Sequence, residues 1–420
     1  MTILDLTNIC SNEWATRIWT VQELIFASKP VVMCGGSRIP WHIFWKFTTY
    51  ALPHFVGQNP QDTTRFMASF DSLNARTACA NLFLALEMSI PSDQATLVIA
   101  LITSLSQTSK CSNPLDKIYA IYPLITRFIK DLPAVDYSRD ENELLECFTL
   151  ASIRSTQTFW PVLLNPWATE PLSRLPSWVP EMSPQTGYPT REMVHSQDNW
   201  KGKNATPSSL VDIPLLQDLK PGTIAFKGKI FTEVVAKGPR WPGREGNTLN
   251  KVLVLATWIM CSFNDEACVD LVERVISDFR DLLVAFMGLP SSRKVQKQFI
   301  SLFKWCTKRP DLSATQETWK QWVTDDFNSD KDRIGLITSL TKSEGLILFQ
   351  TAAGYLGMSY GYIEPGHTIA LLAGSCFPVC LRKDAENWRY IGPAYIQGIM
   401  NGEAWPQDTN TDDLETFILI

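Results

Sequence analysis

The chain has 420 residues, enough for two or three domains with sizeable cores. With 45% hydrophobic and 19% charged residues, its composition is that of a folded globular protein and excludes global disorder. The net charge of −5, the pI near 5.6 and the lack of a basic stripe give no electrostatic case for nucleic acid as a partner.

In chain order, Glu13–Ala27 places Trp14, Ile18, Val21, Leu24 and Ile25 near helical spacing, and Lys29-Pro30 stops that helix. Val31–Cys34 reads as a strand ended by Gly35-Gly36, and Pro40-Trp41 opens another helix. Residues Thr64–Ser109 read as helical with a break at Pro91. Asn113–Asp116 caps a helix over Lys117–Ile125, and Ser138 with Glu141 forms a capping box for a helix reaching Thr156. The Pro-, Ser- and Trp-rich stretch Pro161–Pro221 forbids long helices and reads as an irregular crossing segment or linker. Gly222–Val235 alternates like one or two strands, and Leu249–Leu289 is helical with an interruption near Phe263–Glu266. Ser291–Gln298 is a polar patch, read as a solvated helix face. From Gly345 short apolar runs alternate with turns: Leu346–Gln350, Tyr355–Ser359, Thr368–Leu372, Pro378–Leu381 and Trp388–Ile391. Gly354, Gly366, Gly374 and Gly392 punctuate them, which predicts a small antiparallel sheet or partly open barrel.

The resulting fold class is α+β. The expected division is a mainly helical part over 1–160, a Pro/Trp-rich irregular segment with short strands over 161–245, a helical region over 246–335 and a β-rich domain over 336–420.

The N-terminus, MTILDLTNIC, lacks the basic and apolar regions of a signal peptide. The longest helical apolar stretch, Val252–Phe263, is too short to cross a bilayer. Ten scattered cysteines, the nearest pair being Cys376 and Cys380, predict reduced thiols and a cytoplasmic location, with no metal-ligand spacing. No GxSxG, HExxH, P-loop or GxGxxG-helix pattern occurs, so enzymatic chemistry here is expected to run without a cofactor. The 15 tryptophans either fill large cores or line an apolar pocket.

Several blocks carry a family resemblance. Arg17-Ile18-Trp19-Thr20-Val21-Gln22-Glu23-Leu24, with Ala27 and Cys34-Gly35 after it, resembles the R-x-W-x-x-Q-E-L…A…CG block that closes a heterokaryon-incompatibility (HET) domain. Asn113–Ala120 resembles that family's "DPRDKIYAL" block, Val135–Ser138 its "DYS" entry, and Leu175–Pro180 its "LPSWVPDW" block. Gly354–Gly357 and Tyr395–Ala404 resemble its terminal "GYIG" and "YVHGIMDGEA" blocks. Order and spacing agree from about Glu13 to Trp405. The resemblance implies a fungal HET-family protein from which the N-terminal half of the HET domain is absent.

Against the family pattern, Leu115 stands for an arginine, Met182 for the second tryptophan, and His367 for an acidic residue. Pro393, Gln397 and Asn401 stand for glutamate, histidine and aspartate. These changes leave two functional expectations. In the first, the chain binds a small apolar metabolite and catalyses a cofactor-free cyclisation or isomerisation in fungal secondary metabolism, with pericyclic, Diels–Alder-type closure among the options. Trp19, Trp41 and Trp178 would then shape the pocket, while Arg17, Glu23, Tyr119 and His367 supply charge and hydrogen bonds. In the second, it is a non-enzymatic incompatibility protein that acts on protein partners. The residues also have plainer readings: ion pairing for Arg17 and Glu23, helix capping for Asp116, a core position for Tyr119, and a surface turn for His367.

Overall fold

In a computed structural model, which describes residues 12–55, 76–77, 99, 102–103, 105–107, 109–163, 175–182, 205–206, 220–242, 248–261, 293–306, 316–325, 345–359, 362–405 and 413–420, the helix predicted over Glu13–Ala27 is broken. It forms α1 (Glu13–Thr16) and α2 (Trp19–Phe26). Asn12 caps α1, its Oδ1 accepting from the Trp14 amide at 3.0 Å. Arg17 then adopts extended backbone and bridges to Lys110. The Ile18 amide donates to the Lys110 carbonyl at 3.0 Å and the Lys110 amide to the Thr16 carbonyl at 2.6 Å. A tertiary strand-like pairing thus overrides the apolar periodicity. Of the predicted helices over Thr64–Ser109 and Leu249–Leu289, most residues lie outside the described ones.

The chain divides into two compact units: Met1–Thr156 with Pro180–Gly187, and Gln157–Val179 with Tyr188–Ile420. In the first, β1 (Val31–Cys34) and β2 (Ser37–Pro40) pair antiparallel, with Val31 opposite Pro40 and Cys34 opposite Ser37. Gly35 supplies the left-handed backbone the turn requires, at φ 59°. Trp41 opens α3 (Trp41–Phe55) directly from the hairpin. The expected helix over Lys117–Ile125 is two single turns, α4 (Asp116–Tyr119) and α5 (Tyr122–Ile125). Asn113 Oδ1 accepts from the Leu115 amide at 3.0 Å, so Asn113, not Asp116, supplies the side-chain bond at this turn. Helix α6 (Glu141–Thr156) is capped by Asp140, whose Oδ1 accepts from Asn142 at 2.9 Å and Glu143 at 3.2 Å. The predicted Ser138–Glu141 capping box does not form, because the Ser138 hydroxyl donates to Asp136 at 2.6 Å instead.

The second unit holds the short α7 (Trp160–Leu163), the long β3 (Ile224–Lys237), helices α8 (Thr248–Cys261), α9 (Arg293–Cys306) and α10 (Gln316–Asp325), and six further strands. These are β4 (Ile347–Thr351), β5 (Leu356–Ser359), β6 (Thr368–Leu372), β7 (Val379–Asp384), β8 (Asn387–Ile396) and β9 (Glu415–Leu419). The sheet runs β4-β5-β8-β7-β6-β3-β9. Because β3 also pairs with β4, the pairings return to their start: β3, β4, β5, β8, β7 and β6 form a closed circuit. Strand β3 achieves this by being long and bulged, at Ile230/Thr232 and at Val234/Ala236. Its first half pairs with β6 and β9, its second with β4. Inside lies a cluster that includes Val234, Phe349, Leu371, Cys380, Ile391 and Trp405. Helices and an antiparallel seven-stranded sheet together give the α+β class expected. The long β8 and the strand β9 were not legible as such. Gly392 lies inside β8 rather than ending it.

The Leu175–Pro180 segment is irregular, as its prolines require, and mostly buried, while most of the predicted Pro161–Pro221 segment lies outside the described residues. Trp178 is fully buried, and its indole donates to the Gly222 carbonyl at 3.2 Å. Among the described residues, no helix is long and apolar enough to cross a membrane.

Candidate functional site

The break at Arg17 is what builds the site in the first unit. On a continuous helix, Arg17 and Glu23 would not face each other. With the break, Arg17, Trp19, Gln22, Glu23 and Phe26 line one surface depression. That depression is open to solvent rather than enclosed, and Arg17, Glu23 and Phe26 are all exposed. Across the break, the Trp14 indole donates to Glu23 Oε2 at 2.9 Å. Trp14 packs edge-on against Trp41 at 6.0 Å between ring centroids, and Trp41 continues to Phe44 at 6.0 Å. Trp41 therefore supports the depression through Trp14 instead of lining it.

Behind the depression, Asp116 organises a polar and aromatic network. Its Oδ2 accepts from the Trp19 indole at 3.3 Å, and its Oδ1 accepts from the Tyr137 hydroxyl at 2.8 Å. The hydrogen bond to Asp116 pushes the Tyr137 phenol pKa upward, because ionisation would break it and oppose the carboxylate. Tyr119 packs edge-on against Tyr137 at 5.2 Å and Tyr122 at 5.4 Å. The Tyr119 hydroxyl donates to the Asp136 carbonyl at 2.9 Å and accepts from the Asp136 amide at 3.1 Å, so both its capacities are used by backbone. The Asp136 carboxyl is itself held below its ordinary pKa by hydrogen bonds from the Ser138 hydroxyl and amide.

Two buried cations brace this arrangement from below. Arg76 is fully buried, and its Nη1 donates to the Arg17 carbonyl at 3.1 Å and to Thr20 Oγ1 at 2.9 Å, while Nη2 donates to Ser109 Oγ at 2.9 Å. It thereby fixes the backbone at the helix break. The Lys117 ammonium donates to the carbonyls of Ser106, at 2.8 Å, Gln107, at 3.0 Å, and Ser109. Burial lowers its pKa, while three carbonyl dipoles solvate its charge.

Of the residues singled out from sequence, Arg17, Trp19 and Glu23 come together, with Trp41 one ring removed. Tyr119 lies in the packed layer behind. Trp178 and His367 belong to the second unit. There Trp178 is a core residue, and His367 is not the surface turn expected. The imidazole is buried: its Nδ1 accepts from the Glu364 amide at 3.2 Å and lies 3.8 Å from Cys380 Sγ. The turn is real, with Gly366 at φ 89°, but the ring folds inward under it. Burial and the nearby Arg382 lower its pKa. Sequence reasoning missed Trp14, Arg76 and Tyr137. Trp14 was visible only as a helix-face residue, and neither Arg76 nor Tyr137 stands in a spacing that ties it to Arg17 or Asp116.

Chemically, the depression offers a guanidinium, a carboxylate, an indole and a phenyl ring, all reachable by solvent. Reaction chemistry that relies on desolvation needs a closed site. Tryptophan, arginine and phenylalanine on an open face are instead the residue types that anchor protein contacts. Among the described residues, no group of three His, Cys, Asp or Glu side chains could hold a metal ion.

Comparison with known proteins bears on the second unit. Residues 321–420, which hold β4 to β9, match the Het-6 beta-barrel domain. The heterokaryon incompatibility protein 6, OR allele, of Neurospora crassa is 28% identical over 117 residues, which span 26% of this chain and 17% of that protein. No solved structure matches the chain. The C-terminal part of the chain is thus similar to a domain of heterokaryon-incompatibility proteins, and the match covers under a fifth of the length of the curated relative.

Proposed function

We propose that this chain is a heterokaryon-incompatibility protein that works by binding a protein partner, without turning over a small molecule. The observation that carries this reading is the openness of the depression lined by Arg17, Trp19, Gln22, Glu23 and Phe26. An open face of this composition can seat side chains of a partner, whereas a metabolite cyclase needs walls that exclude water. The match of residues 321–420 to a domain of incompatibility proteins supports the same reading.

A second reading keeps the metabolite chemistry. Arg17, Glu23 and Trp19 do share one depression, which is the minimum a cofactor-free cyclase or isomerase would require. One pair of experiments separates the two. Strains with and without the gene are confronted with tester strains and scored for fusion, barrage formation and cell death. Their metabolites are compared in parallel by liquid chromatography and mass spectrometry. An altered fusion outcome that is lost on Arg17→Ala or Trp19→Ala supports partner binding. A compound replaced by an isomer of the same mass, with fusion unchanged, overturns it in favour of the cyclase.

A further inference from the structure

The hairpin β1–β2 and helix α3 present an unusual surface. Phe26, Val31, Met33, Ile39, Ile43 and Phe47 are all exposed large apolar side chains, Met33 at 63% and Phe26 at 60%. They account for six of the eleven exposed large hydrophobic residues among the described ones, within a span of 22 positions. Isolated exposed apolar residues are ordinary, but a concentration of them marks a contact surface.

Charge is equally uneven. Between Glu23 and Asp62 the sequence has no acidic residue, yet Lys29, Arg38 and Lys46 are exposed there, in a chain whose net charge is −5. Among the described residues the two strands pair only with each other, and neither outer edge carries a further strand from those residues. A lone two-stranded ribbon is marginal in water and invites a further strand.

The apolar residues occupy both faces of the ribbon. Val31 and Met33 are two apart and share one face, while Ile39 stands opposite Val32 and shares the other. A lipid surface would wet one face only, and free backbone edges are not accommodated in hydrocarbon. A second copy would set Lys29, Arg38 and Lys46 against themselves. We infer that the β1–β2 ribbon is the docking edge for an extended, acidic segment of a partner protein. The segment adds as a strand, its alternate apolar side chains meeting the exposed ribbon and its carboxylates pairing with Lys29, Arg38 and Lys46. This rests on the partner-binding reading above and names the chemistry of that partner.

The test uses the full chain and a phage-displayed library of random 12-residue peptides. Enriched peptides are expected to carry Asp or Glu alternating with β-branched or aromatic residues. Bound peptide should slow amide exchange in Val31–Cys34 or Ser37–Pro40. Arg38→Glu, an exposed charge reversal that leaves the core untouched, should weaken the best peptide by about two- to fivefold, the size of one surface charge contact. Met33→Asp should weaken it further. Enrichment of basic or neutral peptides, no enrichment, or affinity indifferent to both substitutions overturns the inference. So does flotation with phosphatidylcholine–phosphatidylserine vesicles that is lost in Met33→Asp, or a doubled mass in sedimentation. If fusion outcomes depend on Arg17 while no peptide is selected, this edge is overturned and the partner-binding reading stands. If acidic peptides are selected while fusion is unaffected, the docking edge stands and the incompatibility role falls.

Discussion

The backbone amide of Tyr390 donates at 2.9 Å to the hydroxyl of Ser177, 213 residues earlier in the chain. The same hydroxyl donates to the terminal carbonyl of Ile420, which also accepts from the Ser177 amide at 3.0 Å. One small side chain therefore ties an irregular segment to β8 and to the residue after β9.

Replacing Ser177 by alanine should cost about 1–3 kcal/mol, since it leaves the buried Tyr390 amide without its acceptor. Denaturant unfolding of the two proteins measures this. Ser138→Ala, at an exposed turn, serves as a comparison and should shift stability less.

Tyr390 itself makes the opposite prediction. Its side chain is fully buried, and among the described residues its hydroxyl has no hydrogen-bond partner. Tyr390→Phe should therefore be neutral or slightly stabilising, within about 1 kcal/mol, because no bond is lost and a desolvated polar group is removed. Tyr390→Ala should cost about 3–5 kcal/mol through the cavity it leaves against Phe159. Equal losses in both variants would mean that the hydroxyl is bonded after all.

His367 predicts a pH dependence in the second unit. Its folded pKa is lowered from the ordinary 6.5, so the unfolded chain binds the proton more readily. Stability from this group is complete above about pH 6.5 and is lost as pH falls from there through the folded pKa. Thermal unfolding at pH 7.5 and 5.5 should show a drop that shrinks in His367→Gln. Glu364, Lys237, Arg382 and Cys380 are the groups around the ring, and an unchanged drop in the variant would assign the effect to them.

Tyr137 titrates in the other direction. Its folded pKa is raised by the bond to Asp116, so that contribution is present below the ordinary tyrosine pKa of 10.0 and is lost as pH rises through the folded value. In Asp116→Ala the phenol should ionise at lower pH, as read by ultraviolet difference titration. Tryptophan fluorescence should change as well, since Trp19 loses the same carboxylate.

Gly228 sets the approach of β3 to β6. A methyl group there would stand 2.5 Å from the Leu371 carbonyl oxygen, a backbone atom that cannot swing aside. Gly228→Ala should cost about 1–3 kcal/mol or more. By contrast Gly36→Ala, where nothing lies within 4 Å, should be nearly silent.

Much of the architecture could be read in advance where local pattern and tertiary need agree. The runs that became β4 to β7 announced themselves by apolar content and flanking glycines, and β1 with its turn by Gly35-Gly36, whereas its partner strand β2 was not expected. The misses share a cause. Arg17 leaves the helix because Lys110 offers it a strand-like partner, which no window around Arg17 contains. Asp116 abandons the expected cap because Trp19 and Tyr137, 97 and 21 positions away, claim its two oxygens. His367 looked exposed because Pro365-Gly366 promised a turn, and the turn says nothing about which way the ring folds. The depression was half legible: Arg17, Trp19 and Glu23 were singled out, but their convergence depends on the helix break, and hence on Arg76.

The long bulged strand β3 lies outside the region that matches the Het-6 domain, yet it is the neighbour of β4, β6 and β9. Anyone excising residues 321–420 as a self-standing module would strip three strands of their shared companion and leave one edge of each unpaired. Such a fragment should aggregate, whereas one that begins early enough to include Ile224 should stay in solution.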